Sequence, residues 1–357
     1  MTPNYNYKLN INRIISSMYN LIISQEVVDG GRSGGFADLL DESRVDGFNY
    51  GDTKTFISVD TLSTIPFEGD STYNILENHR AKDPHIQAMV MNNFRQIPLT
   101  TGGDFFDKQA FLAEGSYMRY ISAVLTMIRY TKRIYEGTLF NRVIGTHKST
   151  SQVEIEVDAS KYPSLVQGLA VTLADLFDEL KQPNTEYNDI GFTRAYDISE
   201  LETLVNNKLV NEMTMVNTPS LFHDETVKSM IDKGKINHRY LGTVKATSGT
   251  GDGIVRACYE MTATKSGSPD VHLWPGMVIP TGYPYKANEA YTPDENILAI
   301  VTAKGFAKWM SGFTREAEWI NPRNGNHQHY LNFGTNDPDK IILDDAPWII
   351  IKKKVSA

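Results

Sequence analysis

The sequence predicts an α+β chain whose first domain is interrupted by a second. Three observations carry this. A helical stripe begins near Asp107 and runs to about 140, the alternating run at 153–158 (VEIEVD) is a half-buried strand, and strand-like apolar segments return at 340–343 and 348–351. No repeat of fixed period appears.

Residues 1–45 are polar and mixed. A short periodic stretch over 11–23 is followed by Gly30-Gly31-Arg32-Ser33-Gly34-Gly35, and four glycines in six residues cannot hold a helix. This reads as an arm ending in a joint. Residues 46–75 hold Gly47, Gly51 and Gly69 and the β-branched run Lys54-Thr55-Phe56-Ile57-Ser58-Val59-Asp60-Thr61. Strand with turns is expected there, as an extended hairpin projecting from the body.

In the long helix Tyr117, Ile121, Val124, Leu125, Ile128, Tyr135 and Leu139 share one face, and Arg119, Arg129, Lys132 and Arg133 occupy the other. At ~1.5 Å per residue the helix is about 45 Å long, an organising beam. After the 153–158 strand, Pro163-Ser164 opens a second helix with Leu165, Leu169, Leu173, Leu176, Phe177 and Leu180 on one side, stopped by Pro183. A third helix is predicted from the capping-box pattern Ser199-x-x-Glu202 and the stripe Leu201, Leu204, Val205, Leu209 and Met213. A fourth starts at Thr218-Pro219 and ends at Gly234. Residues 240–246 and 254–259 read as paired strands around a glycine-rich connection, and 297–302 as a short buried strand. Residues 303–319 read as helical or irregular.

Composition excludes several classes. The chain has 357 residues, 41% of them hydrophobic and 22% charged, with 15 Phe, 18 Tyr and 4 Trp, so it can build a core. Cys258 is the only cysteine, which rules out a disulfide scaffold. No window approaches the ~18 apolar residues of a membrane span, and the N-terminus lacks the charged-then-apolar order of a signal peptide. With 35 Lys+Arg against 43 Asp+Glu the net charge is −8, unlike a general nucleic-acid binder.

Candidate chemistry is sparse. Gly249-Thr250-Gly251-Asp252-Gly253 matches neither phosphate-binding pattern and reads as a strand connection. His327 and His329 could share one ion if they lie on a strand, with Glu316 or Glu318 as third ligand. The simpler reading of 324–329 is a polar loop. Gly31-Arg32-Ser33-Gly34-Gly35 has the letters of a nucleophile elbow without its strand–turn–helix setting. Cys258 sits in an apolar run as an inert hydrophobe. Asp294-Glu295 and Asp344-Asp345 could act as acid and base, but adjacent side chains point apart, so turn chemistry is preferred. Lys352-Lys353-Lys354 reads as a solvated strand end. No catalytic, cofactor-binding or metal residue is assigned, no cofactor is expected, and the chain is read as a non-enzyme.

The order of arm, hairpin, long helix, α/β block and strand return resembles the major capsid protein of tailed bacteriophages, most of all the small podovirus type. That fold is shared with herpesvirus capsid floors and encapsulins. The segments that carry the likeness are 105–145, 188–199 (NDIGFTRAYDIS), 276–285 (GMVIPTGYPY) and 319–333. The resemblance implies an N-arm at 1–45 and an extended loop at 46–75 over a neighbouring subunit. It implies a peripheral domain of 76–152 plus 320–357 with the long spine helix, and an axial α/β domain at 153–319. It further implies self-assembly through pentamers and hexamers into an icosahedral or prolate shell around packaged double-stranded DNA, with no membrane. A separate scaffold protein and a portal would be partners, and the virion, assembled in the host bacterial cytoplasm, the location. The basic face of the helix would touch the outer DNA layer if it faces inward. Some relatives form a Lys–Asn isopeptide bond from the extended loop. Lys54 is the only lysine in 46–75, no matching Asn and Glu stand out, and Lys54 reads instead as an edge-protecting or intersubunit charge. The competing readings are an encapsulin-like shell and a soluble α/β hydrolytic enzyme.

Overall fold

The computed structural model describes residues 38–45, 51–62, 64, 80–101, 114–147, 153–209, 235–250, 253–254, 261–263, 266–268, 271–273, 278–279, 284–320 and 327–355. In chain order these form α1 (Asp38–Glu42), β1 (Arg44–Val45), β2 (Thr53–Ser58), β3 (His85–Thr101), α2 (Glu114–Thr146), β4 (Val153–Val157), α3 (Leu165–Leu180), β5 (Leu201–Asn206) and β6 (Lys235–Ile236). There follow β7 (Gly242–Thr250), β8 (Gly253–Ile254), β9 (Met261–Ala263), β10 (Val271–Leu273), β11 (Val278–Ile279), β12 (Pro284–Pro293), β13 (Ile297–Ala303), β14 (Trp309–Ile320), β15 (His327–Asn336) and β16 (Ile349–Lys353). Helices and mixed sheets make this an α+β chain, as the sequence predicts.

The described residues divide into two compact units, one within 1–54, 89–138 and 308–341, the other within 55–88, 139–307 and 342–357. In the first unit β14 and β15 pair antiparallel, β15 pairs with β3, and the two residues of β1 join β14 in parallel. The strand order is β1-β14-β15-β3-β2, which makes β2, with Lys54 in it, an edge strand. Helix α2 meets this sheet through Tyr135. Its ring stands edge-on to Phe333 at 5.5 Å, and its hydroxyl accepts from Arg95 Nε at 3.0 Å and Asn93 Nδ2 at 3.4 Å.

One turn of α2 carries a buried charge cluster. Glu136 is 0% exposed and Lys132 3% exposed. Lys132 Nζ lies 3.5 Å from Glu136 Oε1, Arg44 Nη2 lies 3.3 Å from Glu136 Oε2, and the Ser311 hydroxyl donates to Glu136 Oε1. A single carboxylate therefore ties the helix to the end of the arm and to β14.

The second unit is built on the sheet β4-β16-β13-β5-β6. Helix α3 lays Leu169, Leu173, Leu176, Phe177 and Leu180 on a core shared with Leu201, Val205, Leu298, Val301, Ile349 and Ile351. The sequence explains the helix ends. Ser164 is extended and its hydroxyl accepts from the Gln167 amide, and Lys181 closes the last turn ahead of Pro183. The strand at 153–158 and the buried strand at 297–302 are found as β4 and β13. A second sheet, β10-β9-β12-β7, and the short pair β11-β8 complete the unit.

Several elements differ from the sequence reading. The predicted third helix is strand β5. Asp197 and Glu200 form the capping box there, on a short 3-10 turn at Ile198–Glu200, and Leu201 and Thr203–Asn206 are buried in mid-sheet. A strand covered on both faces reads as a continuous apolar run, which a helical stripe imitates over six residues. Residues 309–319, read as helical or irregular, are β14, and His327–His329 open β15 instead of lying in a loop. Strand β7 pairs with β12 and Ile254, in β8, with β11, and residues 255–259 lie outside the described residues. At 341–343 there is one bridge, Ala307 to Ile342, instead of a strand. The long helix continues to Thr146, beyond the expected end near 140. The fourth predicted helix, Cys258 and residues 1–37 lie outside the described residues.

His147, just past α2, stands edge-on to the Trp348 ring at 4.8 Å. Burial pulls its pKa below the ordinary imidazole value of about 6.5, against the opposing pull of Asp189 and Asp344. A histidine held neutral in the fold and free to charge in the unfolded chain removes stability as pH falls below about 6.5. The loss ends at the lower, folded pKa. Denaturation midpoints at pH 7.5 and 5.5 should therefore differ more in the parent than in His147→Gln. Equal differences would show that the ring takes up its proton without cost.

Candidate assembly surface

Where β2 ends and β3 begins, over residues 57–60 and 85–87, the ribbon inverts the usual sheet pattern, whereas Phe56, Met89 and Met91 still turn inward. Strand alternation sends Ser58 and Asp60 to one face and Ile57 and Val59 to the other. On the start of β3 the same alternation separates His85 and Gln87 from Ile86. In a one-sided sheet the apolar face belongs on the body and the polar face in water. Here Ile57, Val59, Leu62 and Ile86 are each more than half exposed, whereas the polar residues turn inward and are bonded. A contiguous apolar face of this kind marks an interaction surface.

The inward residues clamp the ribbon root to a lip made by residues 192–196 and 342–346. Arg194 is the centre. Its Nε donates to Asp345 Oδ1 at 2.9 Å, its Nη2 to the Val59 carbonyl at 2.9 Å, and its guanidinium lies 5.6 Å from the centroid of the Phe192 ring. The Ser58 hydroxyl donates to the other Asp345 oxygen at 3.1 Å. Asp60 accepts from the Thr193 amide at 2.8 Å and pairs with Lys82 Nζ at 2.5 Å. Those two donors, Lys82 first, hold the Asp60 carboxyl well below the usual carboxylate range. On the second strand His85 Nε2 lies 2.9 Å from Asp344 Oδ2. The Gln87 amide donates to the Ile342 carbonyl at 2.7 Å and accepts from the Asp344 amide at 3.1 Å. Tyr196 reaches the Asp345 carbonyl at 3.1 Å, and burial, reinforced by the nearby Asp345 carboxylate, pushes its phenol above the ordinary value.

Asp344 and Asp345 were candidates for acid–base work. The structure gives them separate partners, His85 for one and Arg194 with Ser58 for the other, so the pair fastens the ribbon. Asp294 and Glu295 also diverge: Asp294 caps the Asn296 amide, and Glu295 meets Lys208 at 3.2 Å on the surface. Lys352 and Lys354 pair with Glu154 and Asp158 along the edge strand β4. His329 is fully buried and Glu318 is its cross-strand partner on β14. Among the described residues no group of three His, Cys, Asp or Glu is placed to hold a metal ion. Among them, too, no helix is long and apolar enough to cross a membrane.

The outer face of α2 is also corrected. The sequence suggests a basic face of Arg119, Arg129, Lys132 and Arg133; Arg129 is exposed, but Lys132 is buried against Glu136, Arg133 is half-buried, and the Arg119 side chain lies outside the described part. The side chains that stand out from this helix include Met127, Tyr130 and Ile134. Sequence reasoning missed the inward clamp because its residues come from four separate stretches of chain. The local signals are the segment around Arg194, singled out by resemblance, and the acidic pair Asp344-Asp345.

No protein-family model and no curated protein matches this chain. Solved structures do match it. A chain in the capsid structure of Staphylococcus phage Andhra aligns with a TM-score of 0.50 at 12% identity, covering 91% of this chain and 85% of that one. A chain in the structure of the head fiber and inner core protein gp22 of native bacteriophage P68 aligns with a TM-score of 0.51 at 13% identity, covering 86% and 82%. The fold is the tailed-phage capsid fold. Identity this low speaks to architecture alone.

Proposed function

We propose that this chain is the major structural subunit of a phage head. It assembles through pentamers and hexamers into an icosahedral or prolate shell around packaged double-stranded DNA. The observation that supports this reading is the inverted ribbon: a sheet with its apolar face outward and its polar face bonded to its own body is complete only against another surface. A head-to-tail contact repeated around a rotation axis closes into a ring. Many weak contacts per subunit then sum to a stable wall. A net charge of −8 suits a wall around a packed polyanion, since a basic lining would hold the DNA to the shell.

In this reading the unit containing β14 and β15 takes the peripheral role and the unit containing α3 the axial role. The protein is structural rather than catalytic, resides in the virion after assembly in the host cytoplasm, and uses a separate scaffold protein and a portal.

The test is electron microscopy of the purified protein, expressed with and without a scaffold. Closed shells of uniform size are expected. A species that stays at the 40.1 kDa of one chain under every condition would overturn the reading. Ile57→Asp with Val59→Asp should abolish shells while moving the unfolding free energy of the single chain by less than about 0.5 kcal/mol per site, as for other exposed positions.

A further inference from the structure

Where β14 ends and β15 begins, the sheet turns an aromatic and amide-rich face to solvent. Register places Trp319, Gln328 and Thr100 in one row across β14, β15 and β3, and Ala317, Tyr330 and Pro98 in the next. Residues directly opposite share a face, and so do residues two apart on a strand. The other face of β15 carries His329, Leu331 and Phe333, all buried, so the Trp319 face is the outer one. Trp319 is 62% exposed, and Pro98 and Thr100 are exposed as well. Tyr330 is the diagonal neighbour of Trp319, and its hydroxyl donates to Gln328 Oε1 at 2.8 Å. That bond fixes the amide and leaves its nitrogen to donate outward. A third row, Arg315, Asn332 and Gln96, ends the face, and its guanidinium is the only charge in the three rows.

The classes of occupant make different demands. A nucleic-acid strand needs a line of Lys or Arg along its phosphates, which one arginine does not supply. A protein contact is centred on apolar side chains, and this chain has such a face in Ile57, Val59, Leu62 and Ile86. The Trp319 face is made mostly of amides and hydroxyls around two aromatic rings. A neutral sugar chain meets both features. A pyranose offers a C–H face that stacks on an aromatic ring, and an edge of hydroxyls that pair with amides, which both donate and accept. We propose that this face binds a neutral polysaccharide, with one pyranose stacked on Trp319 and hydroxyls of the chain bonded to Gln328 and Thr100. An open sheet face suits a chain laid across it. The inference concerns one face of the single chain and does not need the shell reading.

Calorimetric titration of the full chain with cellohexaose, maltohexaose and chitohexaose tests it, with a heparin hexasaccharide as the charged control. At least one neutral hexasaccharide should bind, and more tightly than heparin. Trp319→Ala should weaken that binding about tenfold, the scale of one aromatic contact. Gln328→Ala should weaken it several-fold, Arg315→Ala should leave it unchanged, and thermal midpoints verify that each variant stays folded. Absence of heat with all three neutral sugars at millimolar concentration would overturn the proposal, as would a preference for heparin that Arg315→Ala removes. Binding by Trp319→Ala equal to that of the parent would also sink it. So would loss of particle assembly in Trp319→Ala with parent particles that bind no sugar, which would give the face to a second copy.

Discussion

Replacing Glu136 by Ala should cost about 3–5 kcal/mol of folding free energy. The loss comes less from the bonds removed than from what is left behind. Lys132 is 3% exposed, and removing Glu136 takes away the carboxylate that lies 3.5 Å from its ammonium and 3.3 Å from Arg44. Breaking a buried charge network in this way is among the few point changes that reach this size. Lys132→Met combined with Glu136→Leu should recover most of the loss, because a buried ion pair replaced by apolar side chains of similar volume is often neutral. Guanidinium titrations of the parent, the single variant and the double variant form the cycle. A single-variant loss below about 1 kcal/mol would mean that water reaches the cluster and screens it.

The second large effect separates two glycines on one helix. A Cβ built on Gly145 falls 1.7 Å from the Tyr240 carbonyl oxygen, whereas one built on Gly137 meets nothing within 4 Å. The obstacle at Gly145 is backbone, which cannot rotate away, so Gly145→Ala should cost more than about 3 kcal/mol, the upper end of ordinary overpacking. Gly137→Ala should stabilise by about 0.5–1 kcal/mol through helix propensity alone. The same chemical change thus has opposite signs eight residues apart on α2. Thermal midpoints of the two variants decide it, and two shifts of the same sign would refute the close approach of α2 to residue 240.

The sequence exposed those parts of the fold whose burial repeats locally. Helix α3, β4, β13 and β16 each carry their periodicity within one element, and each was legible. The sheet at 309–336 was not, because Trp309, Met310, Ser311 and Gly312 are all buried and show no alternation. The end of the long helix was misplaced because its final turns, around Val143 and Ile144, are buried in a further stretch of core. Lys132 reads as solvated although its carboxylate partner, Glu136, is one turn away, because what buries the pair, including Ser311 of β14, arrives from a distant part of the chain. Asp344 and Asp345 were noticed for the wrong reason: their neighbourhood was visible as acidic, but His85, Ser58 and Arg194 are brought to them only by folding.

The clamp around Arg194 bears on kinetics. A ribbon already locked at its root by Asp345, Asp60 and Asp344 has little freedom left to lose when a neighbour arrives. In the proposed shell each incoming subunit would then add to a growing edge at a speed governed by collision and orientation, with no slow ordering of this strand at the seam.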